Sequence, residues 1–319
     1  MGAESMPWPR VAVVGAGAVG CYYGGMLARA GAPVTLVGRP VHVEAIARDG
    51  LRLETLRFSE TVYPAASTAM ASAAGAQLVL FCVKSTDTEA AARELAPHLA
   101  PEAVVLSMQN GVDNLERLRP HVHRPSFAAV VYVAAAMAAP GHVRHTGRGD
   151  LVIGALPPDD PAAARPLLER VAGWLQRADV PCVVADNVEG ELWAKLLINC
   201  AYNAISALGR ARYRRIGAHP PALAVLKDAV REVIAVAQAA GVRLPEGDLV
   251  EAACAISRSL AGATSSTAQD IARGRRTEID HLNGTVVRRG ESLGVATPVN
   301  RALHALVRLL EEAEPGEAR

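Results

Sequence analysis

Three polar side chains recur at a spacing that invites chemistry: Lys195, Asn199 and Asn203 stand at i, i+4 and i+8 among the apolar residues Leu192, Leu196, Leu197 and Ile198. On a helix that spacing puts one ammonium and two carboxamides on a single face. A helix burying this face would carry polar groups into a core, and a polar ligand held at a domain interface removes the conflict. On periodicity alone, a stripe turned to solvent is an equally good reading. A second polar run lies downstream, Ser265-Ser266-Thr267-Ala268-Gln269-Asp270, then Gly274-Arg275-Arg276-Thr277-Glu278-Ile279-Asp280, then Asn283-Gly284. Read without context it is a capped, solvated helix–loop–helix surface.

Near the start, Gly15-Ala16-Gly17-Ala18-Val19-Gly20 fits GxGxxG directly after a Val-rich run and at the head of a helical stretch, the context in which that motif binds a dinucleotide. The first glycine permits a tight turn, the second lets the backbone approach a pyrophosphate, and the third lets helix and strand pack closely. The N–H groups that open the helix, those of Ala18 and Val19 included, then face the phosphates. Where an NAD site places Asp or Glu, at the end of the next strand, this chain has Val37-Gly38-Arg39. A guanidinium clamps a phosphate at two points, so Arg39 points to the 2′-phosphate of NADP(H); the competing reading is a solvated loop arginine. Two later strand ends deliver Lys84 with Ser85, and Gln109 with Asn110 and Gly111, to the crevice where open α/β sheets bind ligands. Taken singly, each could as well be a polar residue that ends a strand.

The elements that must position these groups follow from periodicity. Apolar strands are expected at Val11–Val14, Val34–Val37, Leu78–Val83, Val104–Met108, Ala128–Val133, Leu151–Ile153 and Cys182–Ala185, with helices between the earlier ones, such as Thr88–Leu99. This alternation describes an α/β, doubly wound, mostly parallel sheet of Rossmann type over residues 1–186. From residue 187 to 319 the pattern is helical, at Val188–Ala207, Leu223–Ala240, Asp248–Ser259, Asn283–Leu293 and Val299–Glu312, with a frayed tail from Ala313 to Arg319.

At 319 residues the chain is long enough for two domains. A net charge of +1 gives no basic field for nucleic acid, and no run reaches the length of a membrane span, which leaves a small molecule as the partner. The nearest apolar stretch, Phe127–Ala139, reads as a buried strand and its loop. Five scattered cysteines without CxxC spacing read as buried hydrophobes in a reducing compartment, and Met1–Pro9 carries no signal pattern, so a cytoplasmic protein is expected. The pairs His121/His123 and His142/His145 fall in Pro- or Gly-containing stretches that read as solvated loops, so no metal site is expected. The apolar content of the helical half allows a homodimer.

The opening VAVVGAGAVG, QNGVDN at Gln109–Asn114, ELWAKLLINCAYNAISAL from Glu191, SSTAQDIARGRRTEIDHLNG from Ser265 and GVATPVN from Gly294 together resemble the ketopantoate reductases, over nearly the whole chain and in the right order. The resemblance implies a Rossmann domain followed by a helical domain of the 6-phosphogluconate dehydrogenase C-terminal type. It also implies NADPH-dependent reduction of ketopantoate to pantoate, a step of pantothenate biosynthesis. By the same resemblance Lys195 is the catalytic lysine, Asn199 and Asn203 the substrate asparagines, Ser266 the substrate-carboxylate serine and Glu278 the acidic residue on substrate and cofactor. Asn110 then touches cofactor and substrate, and Lys84 and Arg39 touch cofactor. The family's usual SSMLQD reads SSTAQD here, so Thr267 and Ala268 replace larger residues near the substrate. The chemistry agrees with these roles: hydride transfer to a 2-oxo acid builds charge on oxygen, and an ammonium stabilises that charge and supplies the proton. Competing readings are a reductase of another 2-oxo acid, a related β-hydroxyacid or opine dehydrogenase, and a non-catalytic NADPH-binding sensor.

Overall fold

The computed structural model describes residues 7–312, so the expected fraying of Ala313–Arg319 lies outside the described residues. Two compact units result: residues up to Gln109 with Asn114–Val188, and Asn110–Asp113 with the residues from Glu189 onward.

In the first unit the elements run β1 (Val11–Val14), α1 (Ala18–Arg29), β2 (Val34–Val37), α2 (Pro40–Asp49), β3 (Leu51–Glu54), β4 (Ser59–Val62), β5 (Ala65–Ser67), β6 (Leu78–Phe81) and α3 (Thr88–Leu95). Then follow β7 (Val104–Ser107), α4 (Asn114–Leu118), β8 (Ser126–Ala139), β9 (His142–Gly154), α5 (Pro161–Arg177) and β10 (Cys182–Val184). The strands form one sheet in the order β4-β3-β9-β8-β7-β6-β1-β2-β5, with β10 beside β9. From β8 to β5 every pairing is parallel, while β8–β9 and β3–β4 are antiparallel. The expected parallel sheet is thus mixed toward one side.

Helix α1 explains the shape of this unit. Eight consecutive residues, Gly20 to Leu27, are buried, which a one-sided amphipathic helix would not allow. The sheet curls around it: a Cβ on Gly24 would lie 2.8 Å from Leu36 and Val13 side chains, and one on Gly25 would lie 2.6 Å from Leu53 Cδ2. Strands β1, β2 and β3 therefore all press on one helix. Arg29, on its last turn, reaches Glu60 of β4 at 2.9 Å. Each glycine costs the helix about 1 kcal/mol relative to Ala, and the close packing of Leu36, Val13 and Leu53 offsets it.

Phe127–Ala139 departs from expectation, because the whole stretch is strand. The pairing of β8 with β9 runs from Ala128 opposite Gly154 to Ala139 opposite His142. That long partner overrides the weak strand preference of its alanines. His142 and His145 consequently lie on a strand and not in a loop: His142 Nε2 is 2.8 Å from Glu54 Oε2, and the His145 ring stacks on Tyr22 with centroids 4.3 Å apart.

The second unit has helices and, among its described residues, no strand: α6 (Val188–Leu208), α7 (Tyr213–Gly217), α8 (Pro220–Ala239), α9 (Leu249–Ser259), α10 (Ser266–Ala272), α11 (Asn283–Leu293) and α12 (Pro298–Glu312), with a short 3-10 turn at Ile279–His281. Ala204, Ala229, Ile279, Leu303 and Val307 form its core. A buried polar chain braces it. Asn283 donates to Asn300 Oδ1 at 2.9 Å and to the Cys200 carbonyl at 3.3 Å. Asn300 donates in turn to the Ala229 carbonyl and to Glu232. Glu232 also accepts the N–H groups of Val299 and Asn300 at 2.8 and 2.9 Å, so α12 is capped by a carboxylate from α8. The first unit is a Rossmann-type α/β sheet and the second an all-helical domain.

Candidate active site

In the first unit the glycine turn is stitched to the end of β2. The N–H groups of Gly15 and Ala16 both donate to the Val37 carbonyl, at 2.8 and 3.1 Å. The three glycines divide their tasks. Gly15 has φ +108°, and a Cβ on it would lie 2.6 Å from the Cys82 carbonyl carbon. A Cβ on Gly20 would overlap the Gly15 carbonyl oxygen and come within 2.8 Å of Val13 Cγ1. At Gly17 a Cβ would meet nothing within 4 Å. Two glycines therefore pack the fold, and the middle one leaves room for a ligand. Gly17 also opens α1 without a side-chain cap, so the N–H groups of Ala18, Val19 and Gly20, which lack intrahelical acceptors, stand beside that room.

Arg39 opens α2, is exposed, and has no side-chain partner among the described residues. Its neighbour Gly38 lies so close to the glycine turn that a Cβ would be 2.5 Å from the Ala16 Cβ. The backbone that carries Arg39 is thus rooted beside the glycine turn. Lys84, half-buried, follows β6 and opens the 3-10 turn Ser85–Asp87. A buried network fixes the next strand end. Gln109 Nε2 donates to Thr88 Oγ1 at 2.7 Å, and Ser107 Oγ donates to Gln109 Oε1 at 3.0 Å. The Thr88 hydroxyl lies within donating distance of the Ser85 carbonyl (3.0 Å) and Asn114 Oδ1 (3.2 Å). The link between Thr88 and Asn114 was not legible in the sequence: Asn114 stood only as the last residue of QNGVDN, Thr88 matched no motif, and 26 residues separate them.

The second unit holds Asn110, Lys195, Asn199, Asn203, Ser266 and Glu278. The α6 stripe is not turned to solvent: Lys195 and Asn199 are half-buried and Asn203 is 3% exposed. Among the described residues neither Asn199 nor Asn203 makes a side-chain hydrogen bond. Neither carboxamide is among the fully enclosed polar atoms, so both stay open to water or a ligand. Ser265, 1% exposed, ties α10 to this stripe, donating to the Asn203 carbonyl at 3.1 Å while its Oγ caps the Ala268 N–H at 3.0 Å. Ser266, one residue on, is exposed at the start of α10. The first serine of the pair therefore builds the structure and the second is open to a ligand. Glu278, half-buried, directly precedes the 3-10 turn.

Thiol chemistry has no place here. Burial pushes Cys21 and Cys182 up to about 12 and raises Cys82 and Cys200 as well, so these sulfurs stay protonated. Among the described residues no group of three or more His, Cys, Asp or Glu could hold a metal ion, and no helix is long and apolar enough to cross a membrane.

A Rossmann unit with an open glycine turn, followed by a helical unit whose half-buried lysine shares a helix face with two carboxamides that bond to no described side chain or backbone group, defines a dinucleotide-dependent oxidoreductase. Residues 11–158 match the family model described as ketopantoate reductase PanE/ApbA, and residues 187–311 match its C-terminal counterpart. The 2-dehydropantoate 2-reductase of Halobacterium salinarum is 36% identical over 95% of this chain and 99% of its own. The crystal structure of a PanE/ApbA family ketopantoate reductase from Ralstonia eutropha JMP134 is 53% identical, with a TM-score of 0.88 over 95% of this chain and 98% of that one. D-mandelate dehydrogenase, in its ternary structure with NADH and anilino(oxo)acetate, shares the fold at a TM-score of 0.87 and 23% identity, over 95% of this chain and 98% of that one. The chain belongs to the ketopantoate reductase family.

Proposed function

We propose that this protein reduces a 2-oxo acid to the 2-hydroxy acid with NADPH, and that the substrate is 2-dehydropantoate, giving pantoate. The observation that carries the proposal is the α6 stripe, where Lys195 sits one and two turns before carboxamides that make no side-chain hydrogen bond among the described residues. Residues 1–186 hold the dinucleotide and 187–319 carry the catalytic groups. The backbone at Gly15, Gly17, Ala18, Val19 and Gly20 takes the pyrophosphate, and Arg39 with Lys84 takes the 2′-phosphate and ribose. The cofactor supplies hydride. Lys195 holds the ketone oxygen, stabilises the charge that grows on it and releases its proton to it. Asn199, Asn203 and Ser266 anchor the carboxylate, Asn110 orients substrate and nicotinamide ribose, and Glu278 accepts from the substrate hydroxyl at the far end while also contacting the cofactor. The exposed Leu306 and Leu309 of α12 support a homodimer, which sedimentation reads directly. A small molecule, and neither nucleic acid nor membrane, is the partner, in a cytoplasmic setting.

Thr267 and Ala268 favour a second reading, a paralogue acting on a bulkier 2-oxo acid; Thr267 is buried and Ala268 half-buried at the foot of α10. Turnover of a panel of 2-oxo acids, with NADPH and with NADH, separates the two. Fastest turnover of ketopantoate with NADPH supports the first, faster turnover of an aryl 2-oxo acid the second, and no turnover of any rejects both.

A further inference from the structure

We propose that His281 and Asp113 are a positioning pair that fastens the loop bearing Asn110 to the turn bearing Glu278, so that the two are preorganised as one frame; this rests on the reading of Asn110 and Glu278 given above. The two residues are 168 apart in sequence and belong to the same compact unit. His281 Nδ1 lies 3.3 Å from Asp113 Oδ2, and the side chains are only 14% and 11% exposed. A carboxylate oxygen accepts in this contact when His281 Nδ1 carries the hydrogen. His281 is rooted in the turn of interest, because its own N–H donates to the Glu278 carbonyl at 2.9 Å.

The Glu278 end is tied to α12. Glu311, His304 and Arg308 of α12 grip the turn on both sides of Glu278: Glu311 Oε1 accepts the Thr277 N–H at 2.6 Å, His304 Nε2 meets Asp280 Oδ1 at 2.7 Å, and Arg308 reaches Asp280 at 3.5 Å. The Asn110 end is a short loop. Gly111 has φ +101°, a conformation glycine adopts without fixing its neighbours. Gln109 and Asn114, on either side of the loop, are held by Thr88. Asp113 is where the stretch between them meets the turn that carries Glu278. With that tie cut, the loop loses a direct hold on the Glu278 turn, and a displacement of about 1 Å at a positioning group costs up to about a hundredfold in rate.

The test compares wild type, His281→Ala and His281→Asn, whose Nδ2 can replace Nδ1–H. Steady-state kinetics would use NADPH and the 2-oxo acid that wild type turns over fastest, alongside amide hydrogen exchange of residues 110–114. Expected are a roughly tenfold to hundredfold fall in kcat/KM for His281→Ala, carried more by KM than by kcat, faster exchange in residues 110–114, and recovery of both in His281→Asn. An active wild type with an unaffected His281→Ala, or exchange unchanged at residues 110–114, would overturn the pair. A wild type inactive on every 2-oxo acid would overturn the functional reading and the positioning role with it, and the two failures are told apart by that control.

Discussion

The glycine turn separates structural from ligand-directed constraints, and two single substitutions probe the difference. Gly15→Ala forces a side chain onto φ +108° and a Cβ to 2.6 Å from the Cys82 carbonyl carbon. Strain in such a backbone region costs about 1–3 kcal/mol and overpacking about 1–3 kcal/mol more, so a loss near 4 kcal/mol is expected. For a unit of this size, about 2–4 °C per kcal/mol translates that into a Tm roughly 8–16 °C lower. Gly17→Ala adds a methyl where nothing stands within 4 Å, on a backbone with φ −90° and ψ −166°. Its stability should stay within about 0.5 kcal/mol of wild type. If the pyrophosphate approaches this backbone, however, the methyl meets it, and NADPH affinity should fall at least tenfold, ~1.4 kcal/mol. Circular-dichroism melts and titration of NADPH fluorescence read the two effects separately. A Gly17→Ala protein that melts as low as Gly15→Ala, or that binds NADPH like wild type, would refute the division of tasks.

Arg39→Asp should weaken NADPH binding relative to NADH, and an unchanged ratio of the two dissociation constants would remove Arg39 from 2′-phosphate recognition. Asn203→Ala should leave the Tm near wild type, since its carboxamide bonds to no described residue, while raising KM for the 2-oxo acid by roughly tenfold or more; a large fall in Tm with KM unmoved would show a structural role. Burial pushes the Asp280 carboxyl up, but the hydrogen bond from His304 and the charges of Arg308 and His304 outweigh it and hold the group below its ordinary value. A depressed carboxylate contributes stability above its unfolded pKa and loses it as pH falls through the lower folded value. Urea unfolding should therefore find Asp280→Asn less stable than wild type at neutral pH, with the gap closing below the usual aspartate range, and a gap independent of pH would contradict this.

Much of the fold could be read from residue order. Strands β1, β2, β6 and β7 are short Val- and Leu-rich runs, buried on both faces as parallel strands require, and α11 announces itself by period alone. Other elements were hidden for physical reasons. Helix α5 has a clear start signal in Asp160, whose side chain caps the Ala162 N–H, and Pro161, but Pro166 at its sixth position removes one i→i−4 bond and reads as a breaker, and the helix continues through it because Leu168, Val171, Ala172, Trp174 and Leu175 are buried. The far halves of β8 and β9, residues 134–139 and 142–150, are alanine-rich or polar, and only their mutual pairing makes them strands. The site divides in the same way. Gly15, Gly17, Gly20 and the Lys195–Asn199–Asn203 stripe follow from spacing. By contrast, Thr88 with Gln109, Ser265 with Asn203, and α12 with the Glu278 turn are tertiary contacts that no local spacing encodes.

The central claim is that an ammonium on α6 delivers the proton while the dinucleotide is held elsewhere. Its most direct measurement is NADPH oxidation with ketopantoate by wild type and by Lys195→Ala, with NADPH affinity measured in parallel. The expected result is ready turnover by wild type, a kcat lower by roughly a hundredfold to ten-thousandfold in the variant, and an unchanged dissociation constant for NADPH. Equal turnover by the two proteins, or loss of NADPH binding in the variant, would contradict it.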